Sequence, residues 1–408
     1  MTRTDLGSSS IHTWIELHAP VPEAFAAEIE RRLFFVSPDI TGFELTVTDH
    51  VVLGVTLHSA HPLAHASLAE KINYVVDTEI RPMRAAPPRT VWTSPHQRTA
   101  DPDTFDRLIA AGMVSEADRG RVAIGEPLLS LLEYFDRAIV DLLAPDFAAR
   151  QYRYPTLIKT ETLHIAGYFA NFPHHMMFVT RLRNDLDTYR EFGAEYAAAI
   201  DSGVLALADN VDFCLPPTMC YHTFDQFRGH TLSGNGLEVV TARGKSFRFE
   251  AEYSTTLERL WDFTIREIVF LGERELVLDA RERFMRMVFE FLERLGLSGH
   301  CEVANDPFFG SADTATRIWS QRLMDLKYEI RLPIAPAKTV AVGSFNFHGD
   351  TFGRAFGIAQ PDGQVISSGC VGFGLERLVY AFLCQYGLDS ADWPGAVLAG
   401  TSRAAGAP

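Results

Sequence analysis

Val365-Ile-Ser-Ser-Gly-Cys-Val-Gly-Phe-Gly-Leu-Glu-Arg-Leu-Val379 changes character half-way along. Its first part is β-branched and small, as in a strand, and from Leu375 the residues are helix formers. Gly372 and Gly374 break the strand and open the helix. Such a junction lets backbone amides and a helix N-terminus approach a phosphate closely. Arg377, in the first helical turn, adds a permanent cation with a planar donor fork. Cys370, at the strand end, is expected to face the same cavity. Arg377 and Cys370 call for partners elsewhere in the chain.

Working back from this hinge, Val340 to His348 alternates as a strand, with Ser344, Asn346 and His348 on one side and Phe345 and Phe347 on the other. A further strand is expected around Lys327 to Leu332. Glu273 to Leu295 is a helix with Phe284, Val288, Phe291 and Leu295 inward. Arg281, Arg283, Arg286 and Arg294 are predicted exposed, and their interleaved glutamates mark a solvated face rather than a nucleic-acid patch. Val239 to Glu252 also alternates, which puts Arg248, Glu250 and Glu252 on one face. In Leu257 to Phe270 the alternation aligns Trp261, Phe263, Ile265 and Glu267. A glutamate in line with apolar residues calls for a bound partner.

Earlier still, Leu128 to Leu143 is an amphipathic helix running into Tyr152-Arg-Tyr-Pro155. Gly167 to Phe178 is too aromatic for an exposed loop and reads as a lid or pocket wall. His174 and His175 are adjacent, poor spacing for joint metal binding, so a structural or lid role is expected. Residues 1–90 form a separate small α/β unit. It has strands at Ile11–His18, Phe43–Val47 and Val51–Leu57 and helices at Glu23–Leu33 and Leu63–Val76. Acidic residues outnumber basic ones there. Proline-rich sequence follows, with a linker placed at 91–100. A larger domain fills 101–397, and 398–408 reads as a disordered tail.

The whole chain has 408 residues, 47% hydrophobic and 22% charged, as in a globular enzyme. No apolar run reaches the roughly 18 residues of a membrane span. The N-terminus lacks the apolar core of a signal peptide, and five scattered cysteines make no secreted disulfide framework. A cytoplasmic protein is expected. Its net charge of −15 weighs against a large nucleic-acid footprint.

Two constellations carry chemistry. Arg248, Arg259 and Arg377 suit a polyphosphate, whose charge needs several fixed cations. Phe263 offers a flat face to a purine. Cys220, Glu267 and Cys370 are soft and hard donors that suit zinc with a fourth position open. Their spacing matches no short zinc motif, so on the residues alone two buried free cysteines are the favoured reading.

Together these pieces resemble the catalytic core of class II aminoacyl-tRNA synthetases over about residues 100–390, and within that class the zinc-dependent seryl branch. The helix ending at Tyr154-Pro155 resembles motif 1. Phe247-Arg-Phe-Glu250 with Arg259-Leu-Trp-Asp-Phe263 resembles motif 2, and Gly372-Phe-Gly-Leu-Glu-Arg377 resembles motif 3. Tyr168-Phe-Ala-Asn-Phe-Pro-His-His, Leu215-Pro-Pro-Thr-Met-Cys220 and Ser344-Phe-Asn-Phe-His348 are similar to amino acid:carrier protein ligases. The resemblance implies an α+β fold, an antiparallel sheet flanked by helices, and a homodimer built on motif 1. It implies that Arg248 contacts the α-phosphate and the reacting carboxylate, and that Glu250 reads the adenine edge. Phe263 and Arg377 would sandwich the base, and Arg259 and Arg377 would hold the γ-phosphate. Cys220, Glu267 and Cys370 would bind zinc. Where seryl enzymes place an acidic magnesium ligand this chain has Ala341, so Glu329 is the candidate magnesium ligand. Met219, Trp261, Ser344 and Asn346 are candidates for the substrate pocket.

The resemblance thus implies ATP-dependent activation of a small amino acid, glycine or alanine, and its transfer to the phosphopantetheine thiol of a carrier protein. Seryl-tRNA synthesis and a non-catalytic amino-acid sensor are the alternatives. The acidic N-terminal unit and the lack of a long heptad arm argue against tRNA, and the three motif arginines argue against the sensor.

Overall fold

The computed structural model describes residues 11–83, 89–118, 120–233, 236–250, 256–305 and 314–405. Its centre is an eight-stranded sheet. The strands run in the order Thr90–Thr93, His300–Val303, Lys327–Ala335, Lys338–Gly349, Ser367–Gly374, Asp262–Gly272, Leu237–Phe247 and Arg150–Tyr152. All neighbours are antiparallel except the last pair. The strand from Ser367 runs through Gly372 to Gly374, and the helix Leu375–Tyr386 begins at the next residue. That helix is buried on nearly every side, between the sheet and the helix Leu128–Leu143, and the helix Arg274–Arg294 packs on the same sheet. Phe135, Phe284, Phe345 and Phe382 fill the space between these layers. Among the described residues no helix is long and apolar enough to cross a membrane.

One buried ion pair fastens the Leu128–Leu143 helix to the sheet. Arg266 is 1% exposed, and its Nε and Nη2 donate to the two oxygens of Asp136 at 2.7 and 2.8 Å. Arg243 reaches the same carboxylate at 3.2 Å and Glu133 at 2.6 Å. Removing one member of a buried pair strands a charge in a poorly solvated place. Asp136→Ala is therefore expected to lower unfolding free energy by about 3–5 kcal/mol, read as a shift in the urea midpoint. A loss below about 1 kcal/mol would show that Arg266 behaves as a surface charge.

The N-terminal unit is a three-stranded antiparallel sheet, Ile11–Pro22, Val51–Ser59 and Gly42–Thr48 in that order, with the helices Ala26–Leu33 and His65–Val75. Its core, including Ile15, Leu17, Ile29, Val55 and Ile72, also takes in Ala315 and Ile318 from the helix Thr314–Leu323. Phe35 of the unit meets His174, ring centroids 4.5 Å apart.

Several expectations change. The stretch placed in a linker at 91–100 begins inside the edge strand Thr90–Thr93, because Trp92 stacks flat on Phe289 at 4.7 Å. The tail expected at 398–408 is helical as far as Ala405; Gly400 lies against the Tyr134 ring, and its small residues let two helices approach closely. Residues 406–408 lie outside the described residues. Arg281 is buried rather than exposed: its guanidinium lies 5.1 Å from the Tyr328 ring, and Nη1 donates to the Asp325 carbonyl at 3.0 Å.

Candidate active site

A cavity of about 440 Å³ opens on the sheet face formed by the strands Lys327–Ala335, Lys338–Gly349, Ser367–Gly374 and Asp262–Gly272. Arg248, Glu250, Phe263, Glu267, Cys370 and Arg377 all line it, with Cys220 at the start of the helix Cys220–Gln226.

Arg248 and Glu250 do not sit on a strand face as the alternation suggested. The strand stops at Phe247, whose amide donates to Pro216, and the Arg248 amide turns to Trp261. Glu252, the third member of that expected face, lies outside the described residues. Arg248 Nε donates to the Pro217 carbonyl at 3.1 Å, and its guanidinium carbon is 5.4 Å from the centre of the Phe263 ring. Arg259 Nη1 donates to Glu250 at 3.0 Å. Arg377 donates to the carbonyls of Glu258 and Ala341. Burial, reinforced by nearby Arg259 and Arg248, pulls the Arg377 guanidinium down to about 10, so it remains a cation at neutral pH. Crowded guanidiniums in a partly dry cavity repel one another, and a polyanion is the ligand that relieves this.

The donor atoms of Cys220, Glu267 and Cys370 all lie within 4.8 Å of one another, and all three residues are buried. Glu267 accepts from the Thr218 hydroxyl at 2.7 Å and the Cys220 amide at 2.8 Å. Its carboxyl is pushed up to about 8 by burial, with Cys370 adding to the effect. Burial also raises the Cys220 thiol, while Cys370 is held well below the usual thiol range, first by the hydrogen bond from Cys220. Three acidic groups thus compete for protons in one dry spot, which a dication would relieve. A tetrahedral zinc would need donors roughly 3.5–3.8 Å apart, within small side-chain adjustments of this arrangement. Two thiolates, one carboxylate and an open side toward the cavity fit zinc.

At Glu329 magnesium finds no comparable fit. The oxygens of Glu329 face Lys327 Nζ at 3.1 Å and Arg331 Nη1 at 3.3 Å, so two cations engage the candidate ligand. Position 341 is an alanine whose carbonyl accepts from Arg377.

Ser344 and Asn346 line the cavity, whereas Met219 and Trp261 do not. Met219 is buried against Gly244, where a Cβ would sit 2.3 Å from its sulfur. Trp261 packs on Gly120 and Phe249 and donates to the Glu250 carbonyl at 2.9 Å. It supports the wall from outside. Sequence reasoning gave no role to Thr218, Arg317, Lys327 or His348, which also line the cavity. Thr218 and His348 lie within segments quoted for the resemblance, Leu215–Cys220 and Ser344–His348, and the alternation of His348 with Ser344 and Asn346 pointed the same way.

No family model matches the sequence. The type-2 serine–tRNA ligase of Methanococcus aeolicus is 30% identical over 281 residues, 66% of this chain and 53% of the relative. The chain thus spans about half the length of that ligase. Amino acid–(acyl-carrier-protein) ligases 1 and 2 of Bradyrhizobium diazoefficiens are 33% and 31% identical, and the matches cover 74% and 76% of their lengths. The chain belongs to the class II synthetase-like family of these ligases. Solved class II structures agree on the fold. The M. kandleri seryl-tRNA synthetase in complex with A. aeolicus tRNASec superposes with a TM-score of 0.71 over 96% of this chain and 77% of that one, at 19% identity. The cytoplasmic serine–tRNA ligase of Naegleria fowleri in complex with AMP gives 0.60 over 83% and 70%, at 10% identity. In this chain the strand–glycine–helix hinge carries Cys370 of the Cys-Glu-Cys cluster and Arg377 of the guanidinium cluster.

Proposed function

We propose that this protein activates a small amino acid, glycine or alanine, with ATP and transfers it to the phosphopantetheine thiol of a carrier protein. The observation that carries the reading is the placement of Cys220, Glu267 and Cys370 in one cavity with Arg248 and Arg377. In this reading a site for an amine and a site for phosphates share a wall. The two carrier-protein ligases matched over three quarters of their length support the choice of acceptor.

Cys220, Glu267 and Cys370 would hold zinc, which when bound supplies a Lewis-acidic position for a neutral amine. Arg248, its plane set by the Pro217 carbonyl, directs the substrate carboxylate to the α-phosphorus and stabilises the charge that builds on the phosphoryl oxygens. A P–O bond forms to the carboxylate, the bond to the β-phosphate bridge breaks, and pyrophosphate leaves with the electron pair. Phe263 supports the adenine ring, Glu250 meets its edge, and Arg259 and Arg377 hold the γ-phosphate. The carrier's sulfur then attacks the acyl carbon, its thiol proton passes to solvent, and the acyl–phosphate C–O bond breaks as AMP leaves with the electron pair. The protein acts as a cytoplasmic homodimer in this reading.

Incubation with ATP, zinc, a panel of amino acids and phosphopantetheinylated carriers, followed by intact-mass spectrometry, tests it. A carrier heavier by one aminoacyl group is expected. Aminoacylation of tRNA without any carrier adduct would favour a seryl-tRNA synthetase, the reading supported by the Methanococcus relative.

A further inference from the structure

Cys220 and Cys370 offer the same sulfur to the proposed metal, yet their surroundings differ. The Cys220 amide is spent on Glu267. Cys370 is approached by two polar side chains of the neighbouring strand, Asn346 Nδ2 at 3.5 Å and His348 Nε2 at 3.6 Å from its sulfur. The first follows from register, since Asn346 is paired directly with Cys370. The second does not. Phe347 pairs with Gly369 and Gly349 pairs with Ser368, so His348 is the extra residue of a β-bulge. Bulges beside active sites re-aim a side chain, and here the displaced imidazole lies along the strand carrying both Ser368 and Cys370.

The ring is held on its flanks. Phe352 meets it nearly edge-on with centroids 4.8 Å apart, and Phe224 does so at 6.0 Å. Its Nδ1 lies 3.1 Å from the hydroxyl of Ser368, a fully buried residue. A neutral imidazole has one N–H, so the two contacts fix each other. If the Ser368 hydroxyl donates to Nδ1, the proton must sit on Nε2, which then faces the Cys370 sulfur as a donor. Ser368, His348 and Cys370 form a directed chain of hydrogen bonds ending on a candidate metal ligand.

We propose that Ser368 and His348 are positioning residues for the metal centre, with Ser368 fixing the tautomer and His348 donating a hydrogen bond to the Cys370 thiolate. This rests on the zinc reading given above. Outer partners of this kind orient a ligand and tune the metal it binds. Donation draws electron density from Cys370 alone, so the two sulfurs become unequal donors. The weakened sulfur leaves the metal a stronger Lewis acid toward an incoming amine. The chain also stops the Cys370 side chain from rotating away from Cys220 and Glu267.

The test is zinc affinity of the full-length protein by competition with a chromophoric chelator, with the sulfur-to-cobalt charge-transfer band of the cobalt(II)-substituted protein recorded in parallel. His348→Leu removes the donor and is expected to weaken zinc binding by about 10–100-fold and to shift the charge-transfer band. His348→Gln places an amide N–H at similar reach and is expected to restore both. Ser368→Ala frees the tautomer and should fall between them. A His348→Leu protein with wild-type thermal unfolding, zinc affinity and cobalt spectrum overturns the proposal. So does a His348→Gln protein no better than His348→Leu. If instead the wild-type chain binds no zinc, the metal centre is overturned and the relay with it. The wild-type control therefore separates the two failures.

Discussion

Arg248→Ala is expected to lower amino-acid-dependent ATP–pyrophosphate exchange by about 10²–10³-fold, the effect of removing one preorganised donor from a developing charge. Arg248 is held at three points. Its amide is bound to the Trp261 carbonyl, its Nε to the Pro217 carbonyl, and its guanidinium lies over the Phe263 ring. The fork is thus oriented before substrate arrives, and orientation is what a flexible replacement loses. Arg248→Lys should therefore fail nearly as badly, since a point charge cannot bind two oxygens in one plane. Arg259 and Arg377 remain in both variants, so KM for ATP should change much less than kcat. Exchange reduced by less than tenfold in Arg248→Ala would remove Arg248 from the reacting centre.

The second large effect is expected at Cys220. Cys220→Ala leaves one thiol and a carboxyl that burial already holds near 8, too few donors for a closed site. Bound zinc measured by atomic emission should be lost, and exchange with it. Cys301→Ala is the matching control, because Cys301 is equally buried but lies on the His300–Val303 strand outside the metal group. It should keep its zinc. A Cys220→Ala protein that retains a full complement of metal would show that other residues hold it.

Much of this centre was legible in the sequence, for local reasons. Gly374 announces the hinge because a small residue and a sudden change to helix formers have a short-range cause; Gly372, expected to break the strand, instead pairs within it opposite Glu267 and Ser344. Glu267 stood out because alternation placed a carboxylate on a face that otherwise reads as apolar. What was not legible depends on distant contacts. The strand before Arg248 ends at Phe247 because its amide finds Pro216, far back in the chain. Met219 and Trp261 look like pocket residues by type, but Gly244 and Gly120 leave hollows that draw them elsewhere. Gly400 and its small neighbours read as a tail until Tyr134 supplies a surface for them. Strict alternation put His348 beside Ser344 and Asn346 and could not reveal the bulge that turns it toward Ser368.

The helix Thr314–Leu323 bears on how this protein could be taken apart or recombined. Ala315 and Ile318 belong to the core of the N-terminal unit, while Arg317, on the same helix, lines the cavity and donates to Asn171. Two territories share one party wall. The N-terminal unit is contiguous in sequence, but its hydrophobic interior is completed by residues from more than two hundred positions later. Shuffling it as an independent cassette would leave Ala315 and Ile318 facing water and Arg317 on an unsupported helix. A graft that preserves the cavity has to carry the helix Thr314–Leu323 with it, so the unit's working boundary follows that helix.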